Sequence, residues 1–577
     1  MRRRRRPLFI AFVAAAAALA LPAAAFAHAA LLRTSPSASV TLSRAPDRVT
    51  LTYSEPVEPK FAIVSVTDAA GHQITSGRPT RSPTNANELV QPVKRVPEGW
   101  YLVFWRVISV DGHPVRGAFT FAVGPNPGPA PQFAIPSISE TAATPVLLVF
   151  RWLVFLTMMM AIGLFVLRLV TARPLVRTVR GSSLRAIAVT FWISLVLALV
   201  TIPVYVYLAT AKFSLRATTD FAGIFPLLRA SAFGRGFLDL ELALALFGVA
   251  AAISLWLDKP ERPARSVAEL LACTGAIGAA AACLLVPGLA GHAAQTSPRG
   301  LSVAADWIHL AGGSIWVGGL CGLLVLYRST TELLRVAALS IVVPRFSNTA
   351  LVSVNLLIAS GIAASIVHIP TLASMWQTSY GKALSVKIIL LLAAGQLATV
   401  NLVRTKPRLQ AAGTHPERAA GAAVLLRRLV SGEVVFVFGA IFAAAVLSSL
   451  APPSKALARI GKAEARVGPG AFSRHVKKDG YDLVFGVTPN RAALPNNFSV
   501  RITKDGKPVQ KASVVTKFAM LDMEMQELAY TLPEQKPGLF VRSAPALVMV
   551  GHWGLEFQIT IPGKAPIDVL LVDRASG

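Results

Sequence analysis

Between residues 144 and 451 the chain carries eight long apolar runs with almost no charge, near 146–170, 184–209, 236–257, 267–290, 303–327, 346–368, 383–403 and 429–450. A helix of about 20 residues rises about 30 Å, the thickness of a bilayer's hydrocarbon core. Only structures that pair their own backbone groups survive there, so these runs predict an eight-helix transmembrane bundle. The composition agrees, with 54% hydrophobic and only 15% charged residues. The net charge of +28 would suggest nucleic acid in a soluble chain. Here much of the excess lies between apolar runs, where it sets topology, and no nucleic-acid partner is expected.

The ends of the chain read differently. Arg2 to Arg6 precede an apolar stretch that closes on Ala25-Phe26-Ala27, the pattern of a cleaved signal peptide over residues 1–27. Cleavage there frees the α-amine of His28 outside the membrane. Basic residues then cluster in the loops expected on the cytoplasmic side, and an even number of spans returns the chain outside. Residues 28–124 alternate as short strands with turn signals, which predicts an all-β sandwich or small barrel. A Pro-rich linker follows over 125–143 and a polar one over 452–470. Residues 471–577 alternate again and predict a second all-β sandwich. The fold class is therefore a multidomain membrane protein, with both β-domains on the outer side.

The three cysteines all lie inside apolar runs. A metal site in the polar domains must use His, carboxylate or Met. An N-terminal His is an unusual ligand, because its α-amine and Nδ1 close a chelate on one ion. Two such nitrogens suit the tetragonal coordination of Cu(II). Asp111 and His113, in "SVDGHPV", project the same way in an extended segment and complete an N3O set with His28. The segments "HAALLRTSPS", "YSEPV" and "VISVDGHPVRGAFTFAVG" resemble the CopC family of periplasmic copper-binding proteins. The resemblance implies a β-barrel holding Cu(II) through His28, Asp111 and His113. The Met-rich Cu(I) site of some relatives is absent, since no Met lies between His28 and Thr144.

Polar side chains within a span are costly and face the bundle interior. His292 lies at the outer end of the fourth span. Asp306 and His309 lie one turn apart near the outer end of the fifth. Together they form a candidate metal mouth. Glu433 lies toward the cytoplasmic end of the eighth span. "GHA" (291–293), "DWIHLAGGSIWVGGL" (306–320), "YGKALSVK" (380–387), Asn401 and "PP" (452–453) resemble the CopD family, which implies an inner-membrane copper protein that moves copper toward the cytoplasm. In the C-terminal region, Met520, Met523, Met525, Met549 and His552 are candidate Cu(I) donors, since thioethers are soft. The pattern around them resembles YtkA-like domains.

The expected function is copper binding and transport: Cu(II) captured outside, handed to the bundle and moved inward, with Cu(I) in the membrane and C-terminal domains. Copper ions, the lipid bilayer and periplasmic copper chaperones are the expected partners. No ATPase motif is present, and the chain is not read as an enzyme. Three alternatives stand beside this reading: a copper buffer or sensor without transport, a haem or redox membrane protein, and a copper monooxygenase built on the N-terminal His.

Overall fold

The computed structural model describes residues 29, 31–37, 40–109, 114–128, 144–290, 293, 298–450, 453, 463–492, 495–522, 527–548 and 550–576. The chain forms two compact units, one holding the helices and the other both β-domains.

The N-terminal domain is a sandwich of two four-stranded sheets. One has the order β1 (Leu31–Ser35), β3 (Arg48–Tyr53), β6 (Glu88–Pro92), β5 (Thr80–Arg81). The other has the order β2 (Thr41–Leu42), β8 (Pro114–Val123), β7 (Gly99–Ile108), β4 (Ile63–Asp68). Period-two alternation drives the layering. Val49, Leu51 and Tyr53 of β3 meet Tyr101, Val103 and Trp105 of β7 in one core. The Tyr53 and Trp105 rings pack edge to face at 5.8 Å. Strand β7 is buried on both faces, its second face carrying Leu102 and Phe104 beside Ala118. The Ala118 amide donates to the Val548 carbonyl of the C-terminal domain at 3.3 Å.

Among the described residues, eight helices are long and apolar enough to cross a membrane. They are α1 (Pro145–Val166), α2 (Arg185–Phe213), α3 (Ala232–Leu257), α4 (Val267–Ala290), α5 (Arg299–Ser329), α6 (Glu332–His368), α7 (Ser379–Val400) and α8 (Pro416–Leu447). Helices α6 and α8 begin well before the predicted apolar runs, because N-terminal turns interrupted by charged residues such as Arg335, Arg345, Arg427 and Arg428 continue the same helix. Helix α5 is the hub and packs on α1, α4, α6 and α8. Its glycines allow backbone contact: a Cβ at Gly318 would lie 2.4 Å from the Gly163 Cα of α1.

Polar staples tie the helix ends. Arg151 of α1 is buried and donates to the Tyr205 hydroxyl of α2 (2.8 Å) and to the Ser448 carbonyl (2.8 Å) and Ser449 Oγ (2.6 Å) just beyond α8. A guanidinium there complements the partial negative charge of a helix C-terminus. At the opposite end, Asp258 receives Arg168 at 2.9 Å, Arg173 at 3.0 Å and Arg265 at 3.6 Å.

The C-terminal domain is a second sandwich. Its first sheet runs β10 (Phe472–Lys478), β11 (Tyr481–Thr488), β12 (Asn496–Lys504), β17 (Leu539–Ala544), β16 (Glu534–Lys536), with β13 (Lys507–Pro508) beside β12. The second runs β15 (Leu528–Leu532), β14 (Ser513–Met520), β18 (Gly551–Thr560), β19 (Ile567–Ala575), β9 (Ala465–Val467). Strand β9 lies within the stretch read from composition as linker and pairs in parallel with β19. Beneath this sheet Asp573 is buried and accepts from Asn490 Nδ2 at 2.8 Å.

Two outcomes follow from this packing. Gly318→Ala should force α1 and α5 apart and lower the thermal unfolding midpoint, a cost of about 1–3 kcal/mol for overpacking; an unchanged midpoint would refute the backbone contact. Burial pushes the Asp573 carboxyl up to about 6, against the opposing hydrogen bond from Asn490. Its stabilising contribution is therefore full below about pH 4 and lost as pH rises through about 6, on the order of 3 kcal/mol in all. Amide exchange in β18 and β19 of the full chain, corrected for intrinsic rates, should be slower at acid pH than at neutral pH. Asp573→Asn should remove that difference.

Candidate metal centre

His28, Asp111 and His113 lie outside the described residues, but the elements that carry them are defined. Ala29 is fully buried in the sandwich core. Leu31 pairs with Tyr53, so the start of β1 lies two residues along β3 from Glu55. Strands β7 and β8 form a hairpin closed by the Ile108–Pro114 pair, and the connection between them carries Asp111 and His113. Ser109, at the head of that connection, bridges to Val57, and the Glu58 amide donates to the Ile108 carbonyl at 2.8 Å. The strand order thus brings the start of β1, the segment 54–58 and the β7–β8 turn to one end of the sandwich. Glu55 and Glu58 in that segment are buried carboxyls, 5% and 7% exposed. The sequence reading did not weigh them, although "YSEPVEPK" contains both. His72 lies away in an exposed turn, its Nδ1 3.0 Å from Asp68 Oδ2. The His72 backbone amide donates to Asp68 and, with the ring, holds that carboxyl below its ordinary value.

In the bundle, Asp306 and His309 stand on α5, and His292 lies outside the described residues. Asp306 Oδ2 packs over Gly288 of α4, where a Cβ would come within 3.0 Å of it. Trp307 Nε1 fixes the same helix pair by donating to the Ala281 carbonyl at 2.8 Å. His309 faces α6 and α7. Its Nδ1 is 3.1 Å from the Leu357 carbonyl and 3.2 Å from Ser360 Oγ. A carbonyl only accepts, and the Ser360 hydroxyl already donates to the Leu356 carbonyl at 2.7 Å. Nδ1 therefore carries the proton, and the lone pair of the neutral ring is on Nε2. That nitrogen lies 3.3 Å from Lys387 Nζ of α7.

Two groups near this site were not singled out from sequence. Lys387 ends the quoted "YGKALSVK", and a lysine within an apolar run was the signal. Met159 of α1 packs its methyl against Gly313, one turn along α5 from His309. The run Met158–Met160 within the first span was its signal. Toward the other end of the bundle, Asn401 Nδ2 donates to the buried Glu433. Asn401 opens a π-helical turn (Asn401–Thr405), a local widening common at functional positions. Among the described residues, no three His, Cys, Asp or Glu side chains converge as a ready metal cage.

In the C-terminal domain, Met523, Met525 and Met549 lie outside the described residues. Met520 is 3% exposed and belongs to the sandwich core. His552, at the start of β18, is held by Asp522: its amide donates to Oδ2 at 2.7 Å, and its Nδ1 lies 3.0 Å from both carboxylate oxygens. The arrangement fixes the ring and commits Nδ1 to the carboxylate, as carboxylates do behind metal-bound histidines, so Nε2 is the nitrogen a metal would use. Asp522 was not weighed from sequence. Gly551 makes room, since a Cβ there would lie 2.5 Å from the Met520 methyl and 2.6 Å from Asp522 Oδ2.

Comparison with known proteins gives these regions a common theme. Residues 31–124 match the CopC domain, 340–447 match Copper resistance protein D, and 475–558 match the YtkA-like domain. The chain is 24% identical over 554 residues to Copper transport protein CutJ of Bacillus subtilis (strain 168), covering 93% of this chain and 94% of that protein. It is 33% identical over 124 residues to Copper resistance protein C of Xanthomonas campestris pv. juglandis, covering 20% of this chain and 96% of the relative. The crystal structure of CopC from Methylosinus trichosporium OB3b aligns at 30% identity over 18% of this chain and 99% of that one, with a TM-score of 0.17. The chain therefore belongs to the CopC and CopD family of copper resistance proteins, with CopC, CopD and YtkA-like domains joined in one multi-pass membrane polypeptide.

Proposed function

We propose that this protein captures Cu(II) outside the plasma membrane and passes copper inward through its helices. Removal of residues 1–27 exposes His28, whose amine and imidazole bind Cu(II) with Asp111 and His113. His292, Asp306 and His309 receive the ion at the outer mouth of the bundle. Passage proceeds as Cu(I), once a one-electron donor outside this chain has reduced the captured Cu(II); Cu(I) carries less charge into a medium that penalises charge and accepts soft donors such as Met159. Met520, Met523, Met525, Met549 and His552 provide a Cu(I)-binding station in the outer C-terminal domain. The protein supplies binding and passage and catalyses no bond-breaking reaction.

The observation that carries this reading is His309: a half-buried imidazole with Nδ1 committed to α6 and its Nε2 lone pair turned toward α7. The similarity to a copper transport protein along almost the whole chain supports it. A tether between outer domain and helices keeps donor and acceptor at an effective concentration on the order of mM for a short linker.

Two measurements test the scheme. One alanine added ahead of mature His28 moves the amine out of the chelate, and Cu(II) affinity should fall by more than about tenfold, or about 1.4 kcal/mol. Unchanged affinity would remove the N-terminal chelate from the account. In proteoliposomes, His309→Ala should lower the rate of copper uptake severalfold while leaving Cu(II) binding by the outer domain intact. A protein that binds copper and moves none would be a buffer or sensor.

A further inference from the structure

Lys387 of α7 is half-buried, and its Nζ is directed at the one nitrogen of His309 that a metal needs. Three observations fix the geometry. The Leu357 carbonyl and Ser360 hydroxyl hold the His309 proton on Nδ1, so Nε2 can only accept. Lys387 Nζ, which can only donate, lies 3.3 Å from that Nε2. Asp306 stands one turn before His309 on the same helix. A lone-pair nitrogen and a lysine thus meet inside the bundle, one helical turn from a carboxylate.

We propose that Lys387 is a tethered stand-in for the cargo: its ammonium occupies the cation position of the bundle until copper displaces it. The inference rests on the reading of His309 as a bundle ligand. In the exchange, the N–H···N hydrogen bond between Lys387 and His309 breaks, the ammonium swings away with its protons, and Nε2 donates its lone pair to the ion. When Cu(I) enters, one monocation replaces another beside Asp306 and the charge of the site is conserved. A divalent ion would leave an uncompensated positive charge in a medium that penalises it. Lys387 therefore acts as a positioning and selectivity residue. It sets a threshold that only a well-coordinated monovalent ion passes.

The test is Cu(I) binding to the full-length protein in lipid nanodiscs, read by competition with a chromophoric Cu(I) chelator under reducing conditions. All variants carry His28→Ala to silence the outer site. Lys387→Met and Lys387→Gln remove the competing charge and should tighten the His309-dependent component by roughly tenfold or more. Lys387→Arg keeps a cation and should stay near the parent. Adding His309→Ala to Lys387→Met should abolish the gain. If both uncharged variants bind no tighter than the parent, while His309→Ala weakens the parent, Lys387 is not a competitor and the proposal falls. Loss of the folded protein in both uncharged variants would also overturn it, since a group that copper displaces cannot be required for the fold. If His309→Ala changes binding in no background, the bundle-ligand reading itself falls, and this inference with it.

Discussion

Lipid offers no hydrogen bonds, and that absence governs which polar groups this chain tolerates between its helices. Each membrane-embedded polar side chain described above has a specific partner: Arg151 the end of α8 and Tyr205, Glu433 the Asn401 amide, His309 the Leu357 carbonyl and Lys387. The partnerships do more than satisfy atoms. They choose a tautomer for His309 and so decide which nitrogen faces the interior. The same rule explains why α5 is the hub. Its glycines bring it against the α1 backbone, and Asp306 and His309 one turn apart turn toward α4 and toward α6 and α7.

The two β-domains answer a different constraint. In water, each is held by its own hydrophobic core. In the N-terminal sandwich, Ala29 is buried in the core and the β7–β8 hairpin is paired up to Ile108 and Pro114. Packing thus meets the entropy of ordering the segments that flank residue 28 and residues 110–113. In the C-terminal sandwich the same end is reached with one carboxylate, Asp522, which binds both the amide and the ring of His552.

Much of this was legible in the sequence because it rests on period and length. Apolar runs gave eight helices, and alternation in "VTLTYSEPV" and "YDLVFGV" gave strands with the expected faces inward. What escaped was non-local or polar. The early starts of α6 and α8 escaped because a hydropathy window ends where charge begins, whereas a helix does not. Strand β9 escaped because three residues in a polar stretch carry no periodic signal, and only β19 makes them a strand. Glu55, Asp522 and Lys387 escaped because their significance comes from residues distant in sequence: Ser109 near the first segment, His552 for the second, His309 for the third. Sequence identifies which side chains can do chemistry, and packing decides which atom of each is free to do it.

That distinction bears on how copper can pass from a site of hard donors to one inside lipid. The proposed outer set of amine, imidazoles and carboxylate favours Cu(II). The proposed bundle position pairs the His309 imidazole with Lys387, 3.3 Å from its Nε2. On the proposal above, the lysine cation holds that position for a monovalent occupant. A Cu(II) ion reaching it would bring one charge too many and lose the tetragonal nitrogen set that held it outside. Reduction before entry removes both penalties at once. On this argument the change of valence precedes entry to the bundle, its electron comes from a donor outside this chain, and the proposed exchange with Lys387 favours the reduced ion.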